Sequence, residues 1–402
     1  MGLSVIIAGA GIGGLSLAQG LRKRGVGVTV FERDNDLGPW WQGFRLRIDR
    51  HGRGALASCL PADLYDLTQA TANKLYTPRG VTYDYLLNET ASVRPAGVPL
   101  DPAAAATVAD RRTLREILFT GLGDAVRFGE PVVGYEHVGD QVQVELADGG
   151  TATADVLVAA DGVESAVRRR RLPDAELLDL GTRAIYGHML LTEEVLEWLP
   201  PGLIGGARPV LGPESRTLVV GSFQPQMPAA EAVAQFAPHA ALQSVPDYLK
   251  WTLVVPAASR VAPRNGDPEK LHATALKLLD GWHPVLRRVV AESRVEATFA
   301  LSIRAMSPTP EWPSDNVTVL GDCIHAMTPV GGFGANTALR DAAALAAALA
   351  EADAGRRELV EAINRYENEM RDYAYEAISR SLWGAELMFR IPSRSDPEGA
   401  RA

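Results

Sequence analysis

Near its start the chain passes from an apolar run to a glycine-rich turn and then into a helical pattern. Residues 3–8 are almost wholly apolar, Gly9-Ala-Gly-Ile-Gly-Gly14 follows, and residues 15–24 have the spacing of an amphipathic helix. Gly25 ends that pattern, and a second apolar run, Val28–Phe31, comes directly after it. A strand, a glycine turn, a helix and a second strand in this order predict a βαβ unit with parallel strands.

Later segments show the same two periodicities. Residues 107–122 are predicted to form a helix, and residues 126–162 have the pattern of short strands. The last of these, Asp155–Ala160, is apolar enough to be buried on both faces. Between residues 172 and 300 prolines become frequent and strand-like stretches appear, which indicates a second region built on a sheet. The remaining predicted elements are a buried strand at 316–320, a helix at 336–352 and a mostly helical segment at 358–389.

These elements predict an α/β fold in which a Rossmann-like nucleotide-binding domain contains an inserted β-sheet domain and is followed by a C-terminal helix. The predicted pieces are 1–75, 105–172 and 300–355 for the nucleotide-binding domain, 76–104 and 173–299 for the inserted sheet domain, and 356–402 for the C-terminal helix and tail.

Composition narrows the classes of function. The chain has 402 residues, of which 47% are hydrophobic and 22% charged, the balance of a folded soluble protein. Its formal net charge of −9 argues against sequence-independent binding of nucleic acid, which needs phosphate-neutralising cations. No apolar run is long enough to predict a membrane span. Two cysteines in unrelated contexts and no recognisable secretory signal predict a cytoplasmic protein without disulfides.

The first motif with chemical content is Gly9-x-Gly11-x-x-Gly14. The first glycine permits a tight turn, the second lets a pyrophosphate approach the backbone, and the third lets helix and strand pack closely. Phosphate charge then lies at the positive end of the following helix. Glu32, at the end of the next strand, is placed to accept hydrogen bonds from ribose hydroxyls. The motif therefore predicts a bound nucleotide, and the carboxylate disfavours a 2′-phosphate on it.

Two further motifs end later strands. Ala160-Asp161-Gly162 closes a buried strand and, taken alone, is a turn. A longer segment from Leu320 to Asp341 runs from a strand through a glycine-rich loop into a helix. Such a loop leaves backbone N–H groups and a positive partial charge at the helix start, which suits a planar cofactor that becomes anionic on reduction. Asp322 in this segment is placed to hold a polyol hydroxyl.

In their order and spacing the three motifs resemble those of the class A flavoprotein monooxygenases of the para-hydroxybenzoate hydroxylase type. The segment Gly43-Phe-Arg45-Leu-Arg47-Ile-Asp49 resembles a subgroup that includes tetracycline-inactivating and salicylate-hydroxylase-like monooxygenases. The resemblance implies that FAD is the bound cofactor and NAD(P)H the electron donor. It further implies O2 and a small aromatic or polyketide-like molecule as the other reactants, and it makes the inserted sheet region the part expected to bind that molecule. The sequence itself shows no metal-binding cluster, so no metal is predicted.

The resemblance also implies roles for individual residues. Arg33 matches a basic residue that often follows the acid, and Arg45 matches an arginine near the cofactor phosphates or the nicotinamide nucleotide. Arg111 would reach the flavin side of the cofactor, with Arg112 as the alternative, and Val132 would contact the adenine through its backbone. The structural alternatives are solvated arginines and a plain core valine. The full set of implied cofactor-binding residues is Gly9, Gly11, Gly14, Glu32, Arg33, Arg45, Arg111, Val132, Asp161, Asp322, Pro329, Gly332, Gly334, Ala335 and Asn336.

The implied reaction passes through a flavin C4a-hydroperoxide, which delivers one oxygen atom to the substrate. The sequence shows no side-chain nucleophile, and Pro329 and Gly332 are candidates for lining the pocket shared by oxygen and flavin. His325 is interpreted as a structural histidine, and Tyr186 and His188 as either ligand contacts or ordinary sheet residues. Two other functions stay open: a flavin-dependent reductase or dehydrogenase of the same fold, and a flavin-binding protein with a non-redox role.

Overall fold

A computed structural model of the chain describes residues 2–38, 44–74, 81–90, 106–259, 261 and 266–389, and its strands and helices are numbered here in chain order. The described residues contain a five-stranded parallel sheet, and its central strands are buried because they are almost wholly apolar. In spatial order its strands are β17 (Val317–Val319), β11 (Val156–Ala159), β1 (Ser4–Ala8), β2 (Gly27–Glu32) and β7 (Val126–Phe128).

Helices cover this sheet. The alanine-rich α11 packs against three others, and close approach is possible because the contacts are made by small side chains such as Ala346, which faces Gly20. These four helices are α1 (Ile12–Lys23), α2 (Arg50–Cys59), α11 (Gly334–Asp353) and α12 (Leu359–Phe389). The other helices in the described ranges are α3 (Ala62–Ala70), α4 (Arg111–Phe119), α5 (Ala166–Arg171), α6 (Glu193–Trp198), α7 (Ala229–Phe236), α8 (Pro268–Leu278), α9 (Pro284–Ala291) and α10 (Asp322–His325).

A second, mixed sheet forms the inserted region and has seven strands among the described residues. In spatial order they are β16 (Phe299–Met306), β12 (Leu177–Leu190), β15 (Tyr248–Pro256), β14 (Thr217–Phe223), β13 (Arg208–Leu211), β4 (Thr82–Asp84) and β5 (Glu89–Thr90). Side chains alternate between its faces. Leu249, Trp251 and Leu253 share one buried cluster with residues of α8 and α9, whereas Tyr248 and Tyr186 belong to a separate aromatic cluster.

Two smaller sheets complete the part of the chain that the structure describes. The pair β3 (Arg45–Ile48) and β6 (Thr107–Asp110) is antiparallel, and the sequence immediately before α4 is therefore extended. The other sheet is antiparallel and contains β8 (Val132–Val138), β9 (Gln141–Leu146) and β10 (Thr151–Ala154). The described helices include none that is long and apolar enough to cross a membrane.

Two predicted boundaries differ from the structure. The helix predicted from residue 107 begins at Arg111, because the β-branched Thr107 and Val108 pair with β3 and Asp110 caps the helix through its side chain. Residues 300–306, assigned from sequence to the nucleotide-binding domain, continue β16 of the inserted sheet, since this strand pairs with β12. The predicted tail from residue 392 lies outside the described residues.

Candidate active site

The glycine-rich loop between β1 and α1 lies where β1 adjoins β11, the point at which connections run to opposite sides of the parallel sheet. Gly9 has φ +106°, and a Cβ there would lie 2.5 Å from the Ala160 carbonyl oxygen. A Cβ on Gly14 would lie 2.0 Å from the Gly9 carbonyl oxygen, whereas one on Gly11 would meet no atom within 4 Å. Gly9 and Gly14 therefore serve packing, and the backbone at Gly11 is open to a ligand.

Two helices begin near the predicted cofactor without a side-chain cap. The N-cap of α1 is Gly11 and that of α11 is Phe333, and neither helix has an acidic residue in its first turn. Uncapped N–H groups and the positive end of the helix dipole together favour an anion. Both helix starts can thus hold negative charge.

Glu32 ends β2 beside the glycine-rich loop and is 6% exposed. Its Oε2 accepts a hydrogen bond from the Ala10 N–H at 2.6 Å, and its Oε1 accepts one from the Asp34 N–H at 3.0 Å. The carboxylate is therefore fixed at the strand end, and its contact with a ribose stays a prediction. Arg33 extends into solvent, with its side chain 3.8 Å from Asp34.

Three arginines on α4 have three different surroundings. Arg111, the predicted flavin contact, is exposed, and its side chain makes no hydrogen bond or ion pair with other described residues. Arg112 is buried and donates to Glu116 Oε1 at 2.7 Å. Arg115 donates to the Ala10 carbonyl at 3.0 Å and to the Leu37 carbonyl at 3.1 Å, and burial lowers its pKa. Sequence reasoning missed Arg115, which holds the glycine-rich loop against α4.

Asp161 follows β11 and keeps one oxygen without a partner among the described residues. Its Oδ2 accepts from the Ala166 N–H at 3.1 Å, whereas Oδ1 is buried and unbonded within the described structure. Burial raises the pKa of this carboxyl. Arg168 connects this motif to the next, because it donates to the carbonyls of Val163 at 2.9 Å and Cys323 at 3.0 Å. Val132 is buried in the core at the start of β8, and its contact with adenine stays a prediction.

The third motif forms a loop between β17 and α11. Gly331 and Gly332 have φ of +79° and +64°, conformations that favour glycine. Asp322 is exposed at the start of α10, and its Oδ1 would lie 3.8 Å from a Cβ on Gly334. Pro329 precedes the two glycines, and Ala335 lies in the first turn of α11. The predicted residues of this motif are thus brought together at one helix start.

Asn336 clamps this loop to β3. Its Nδ2 donates to the carbonyls of Arg47 and Gly332, both at 2.7 Å, and its Oδ1 accepts from the Asp49 N–H at 2.8 Å. Asn336 is 4% exposed. Its side chain therefore positions the loop, whereas contact with the cofactor stays a prediction.

A buried ion pair lies behind the same loop. His325 Nε2 is 2.6 Å from Asp341 Oδ2, and both side chains are 0% exposed. Burial alone would lower the pKa of His325, but the Asp341 carboxylate outweighs it and raises this pKa. Asp341 also accepts from the Gly321 N–H and the Tyr373 hydroxyl, both at 2.8 Å. The pair fixes the turn at Gly321 from within the core.

The two arginines of β3 face different partners. Arg45 donates to the carbonyls of Gly205 at 2.8 Å and Ser222 at 2.7 Å, which ties β3 to the inserted sheet. Arg47 is half exposed, and its Cβ lies against Gly332. The bridging role of Arg45 was not indicated by the sequence, and its contact with the cofactor phosphates stays a prediction. Gly43, at the start of this motif, lies outside the described residues.

Aromatic rings cover the face of the inserted sheet next to β3. Tyr186 and Phe299 are stacked with centroids 5.0 Å apart, and Phe44 stacks on Phe299 at 5.6 Å. His188 meets the edge of Phe44, and burial, followed by the charge of Arg294, lowers its pKa to about 4. Tyr186 and His188 thus both lie on the predicted substrate side.

One apolar cluster connects this face to the glycine loop before α11. Tyr186 and Val330 both pack on a group of buried residues contributed by the sheet and by α12, among them Ala184 and Ala385. The helix is held against the loop, because the Thr328 hydroxyl donates to the Ser381 carbonyl at 2.9 Å. The predicted flavin side and the aromatic face are therefore neighbours.

An open cleft lies elsewhere. It has a volume of about 940 Å³ and is lined by α4 and by residues 239–243, including Arg112, Glu116 and Gln243. Apart from Arg112, the alternative to Arg111, none of the predicted cofactor residues lines it. We assign the site from the strand ends and helix starts rather than from this open groove. The described residues contain no group of three or more potential metal-ligating His, Cys, Asp or Glu side chains.

Comparison with known families gives two matches. Residues 249–381 match the FAD binding domain family, and residues 7–71 match the NAD(P)-binding Rossmann-like domain family. Among curated proteins, the dual O-methyltransferase/FAD-dependent monooxygenase elcB of Phaeosphaeria nodorum is 32% identical over 96% of this chain and 46% of its own length. The chain therefore spans about half the length of this relative.

Solved structures extend the comparison. The chain is 31% identical to a protein of Photorhabdus luminescens described as an FAD-containing monooxygenase, with a TM-score of 0.82, and the match covers 96% of this chain and 99% of the other. It also shares its fold with Klebsiella pneumoniae HpxO, solved with FAD and uric acid, at 21% identity and a TM-score of 0.75 over 99% and 91% of the two chains.

Proposed function

Because this chain belongs to the class A family of FAD-dependent monooxygenases, we propose that it uses NAD(P)H and O2 to insert one oxygen atom into a small aromatic or polyketide-like molecule. The observation that carries the proposal is the junction at which the loop before α11 and the aromatic face of the inserted sheet pack on one apolar cluster. In the proposal, the loop is the cofactor side, the aromatic face is the substrate side, and the two are in contact.

Features of the chain fit FAD, the cofactor of this family. The backbone at Gly11 is open where the pyrophosphate is expected, and α1 begins there without a cap. Asp161 Oδ1 is buried with no partner among the described residues, and Asp322 is exposed at the next strand end. In the proposal Glu32 holds the ribose, Asp322 holds a hydroxyl of the ribityl chain, and Arg111 reaches the flavin side.

When bound, FAD supplies the electron transfer and the activation of O2. The protein itself contributes electrostatic stabilisation to this chemistry. Pro329, Gly332 and Gly334 bring no charged side chain to the start of α11, whose positive end stabilises negative charge placed against it.

Exclusion of water is the second contribution of the chain. The helix α12 packs closely against the loop, since a Cβ on Gly384 would lie 2.7 Å from Val330 Cγ1. The shared cluster beneath Tyr186 and Val330 is apolar. A dry site strengthens electrostatic interactions and prevents side reactions of reactive species.

The stacked rings of Phe44, Tyr186 and Phe299 favour a planar substrate. Tyr186 and Phe299 are half-buried, so part of their surface remains available for contact. Aromatic pairs in stacked geometry add about 0.5–1.5 kcal/mol beyond the burial of their area. A flat aromatic or polyketide-like molecule is therefore the substrate class that we propose.

The test uses purified protein with its bound FAD. We expect planar aromatic compounds to stimulate NADH or NADPH oxidation together with O2 consumption, and isotopically labelled O2 to place one labelled atom in the product. If NAD(P)H never reduces the flavin, the proposed function is wrong. If the substrate changes without incorporation of labelled oxygen, the reductase or dehydrogenase alternative takes its place.

A further inference from the structure

Lys250 is a half-buried cation in the middle of β15, on the same face of the inserted sheet as the aromatic rings. Its backbone pairs with His188 on one side and Gly221 on the other. Its Nζ lies 5.3 Å from the ring centroid of Tyr186 and 5.7 Å from that of Phe44. Lys250 was not singled out by the sequence, because an isolated lysine inside a predicted strand carries no motif.

This cation has no partner of opposite charge in the described structure. Its ammonium group makes no hydrogen bond or ion pair with any described residue, and its contacts are the two ring faces. The charge acting on it is that of Arg45, which is of the same sign and is already bonded to two carbonyls. Burial, followed by this repulsion, lowers the pKa of Lys250 to about 8.

Such a position is unfavourable for folding. A charge taken partly out of water is stabilised by an ion pair or hydrogen bond, and cation–π contacts at partly exposed sites return only about 0.5–1 kcal/mol. An apolar side chain on this strand would avoid the cost, as Val254 does further along the same face. A charge kept in this place, unpaired among the described residues, fits a bound ligand as its partner.

We infer that Lys250 is the anion-recognising residue of the substrate site, and that it binds a carboxylate or phenolate oxygen carried by a planar aromatic ligand that stacks against Tyr186 and Phe299. This inference rests on the proposed function, because that function makes the aromatic face the substrate side. Lys250 determines specificity, since a neutral ligand of the same shape leaves the ammonium group unpaired. The ligand class is thereby narrowed from planar aromatics to planar aromatic anions.

The test is a binding experiment on the FAD-loaded protein. Binding is measured by calorimetry and by the change in the visible flavin spectrum. One arm compares 2-naphthoate with its neutral amide, 2-naphthamide, and a second compares 2,4-dinitrophenolate with 2,4-dinitroanisole. We expect the wild type to bind at least one anion about tenfold or more tightly than its neutral counterpart, as for a hydrogen bond to a charged group. The arm that shows this preference identifies the anionic group.

Variants test whether Lys250 is the source of the preference for the anion. Lys250→Met is expected to lose it while binding the neutral compound within about twofold of wild type, and Lys250→Arg is expected to retain it. Lys277→Met removes an exposed lysine on α8 and is expected to bind as wild type does. FAD content checks the folding of each variant, and Lys250→Gln serves if the methionine variant loses its cofactor.

The inference is overturned if the wild type prefers neither anion, or if Lys250→Met or Lys250→Gln keeps the preference. These outcomes are separate from failure of the proposed function, because binding requires no turnover. A protein that binds the anions through Lys250 but never oxidises NAD(P)H with O2 would refute the monooxygenase proposal alone.

Discussion

Asn336 illustrates how one side chain can order a loop through hydrogen bonds to backbone groups. Its amide makes three hydrogen bonds to backbone groups of the glycine loop and β3, all from a buried position. Each lost bond of this kind leaves a buried backbone group to be satisfied otherwise. The geometry at the start of α11 therefore depends on a residue whose own contact with the cofactor is a separate question.

Asn336→Ala is expected to lower the free energy of unfolding by about 2–3 kcal/mol, because it leaves several buried polar groups without partners. Thermal unfolding of the cofactor-free protein measures this. Asn35→Ala, at an exposed position, is the control and should change stability by less than about 0.5 kcal/mol. An Asn336→Ala protein as stable as this control would contradict the clamp.

Asp322→Ala is expected to weaken FAD binding by about 1–3 kcal/mol, since it removes the carboxylate predicted to accept a hydroxyl hydrogen bond. The measurement is the FAD dissociation constant, by fluorescence titration of apoprotein. Asp372→Ala changes an exposed carboxylate on α12 and should leave this constant unaltered. Equal FAD affinity of the two variants would remove Asp322 from the site.

Lys250 links stability to pH in a defined direction. Its pKa is about 8 in the folded chain and 10.5 ordinarily, so the unfolded chain binds more protons between these values and wild-type stability rises with pH in that window. Lys250→Met is expected to be more stable than wild type at neutral pH by roughly 1 kcal/mol, after discounting for solvent screening. The difference in stability between Lys250→Met and wild type should disappear as the pH rises towards 10.5. Thermal unfolding across this range tests it, with Lys277→Met as control; a gap independent of pH would be the contrary result.

At the scale of elements, the glycines of the turn between β1 and α1 have different roles, one in packing and one in ligand binding. A Cβ at position 14 would collide with the turn itself, whereas one at position 11 enters open space. Neighbouring glycines in one motif therefore have different physical reasons to be glycine. The sequence pattern alone treats them alike.

Gly11→Ala is expected to leave the thermal stability of the apoprotein within about 0.5 kcal/mol of wild type but to weaken FAD binding about tenfold or more, because a methyl group occupies the approach to the backbone. Gly14→Ala is the matched variant and should disrupt folding, since its Cβ would lie 2.0 Å from a carbonyl oxygen. Apoprotein unfolding and FAD titration separate the two effects. FAD affinity of Gly11→Ala equal to wild type would contradict the expected pyrophosphate position.

Elements defined by local periodicity could be predicted, and those defined by distant partners could not. The unit from β1 to β2 and the helix α12 follow their apolar spacing closely. The sequence pattern predicts helix for β6, because the pairing of this strand with β3 spans about sixty residues of chain and leaves no local signal. Arg115 bonds a residue 105 positions away, and Arg45 one 177 positions away. No local pattern records such contacts.

At the scale of the whole molecule, the parallel sheet is assembled from separated pieces of chain. Strands β1 and β2 come from the first segment, β7 and β11 from the second, and β17 from the third. The discontinuity itself was predicted, because three motifs each end a strand. The sequence does not predict the C-terminal boundary of the insertion correctly. The apolar pattern of β16 fits either sheet, and only its pairing with β12 shows that it belongs to the inserted sheet.

The pairing of β16 with β12 has a consequence for exchanging the inserted segment between homologous proteins. Leu177, at the entrance of the insertion, lies opposite Met306, at its exit, so both ends of this segment emerge side by side. A segment with adjacent ends can be swapped between homologues without stretching its recipient. A chimera would also have to carry β4, which pairs with β13, and match Arg45, which bonds to Gly205 and Ser222. We therefore expect the inserted segment to be exchangeable as a unit, provided that these contacts are kept.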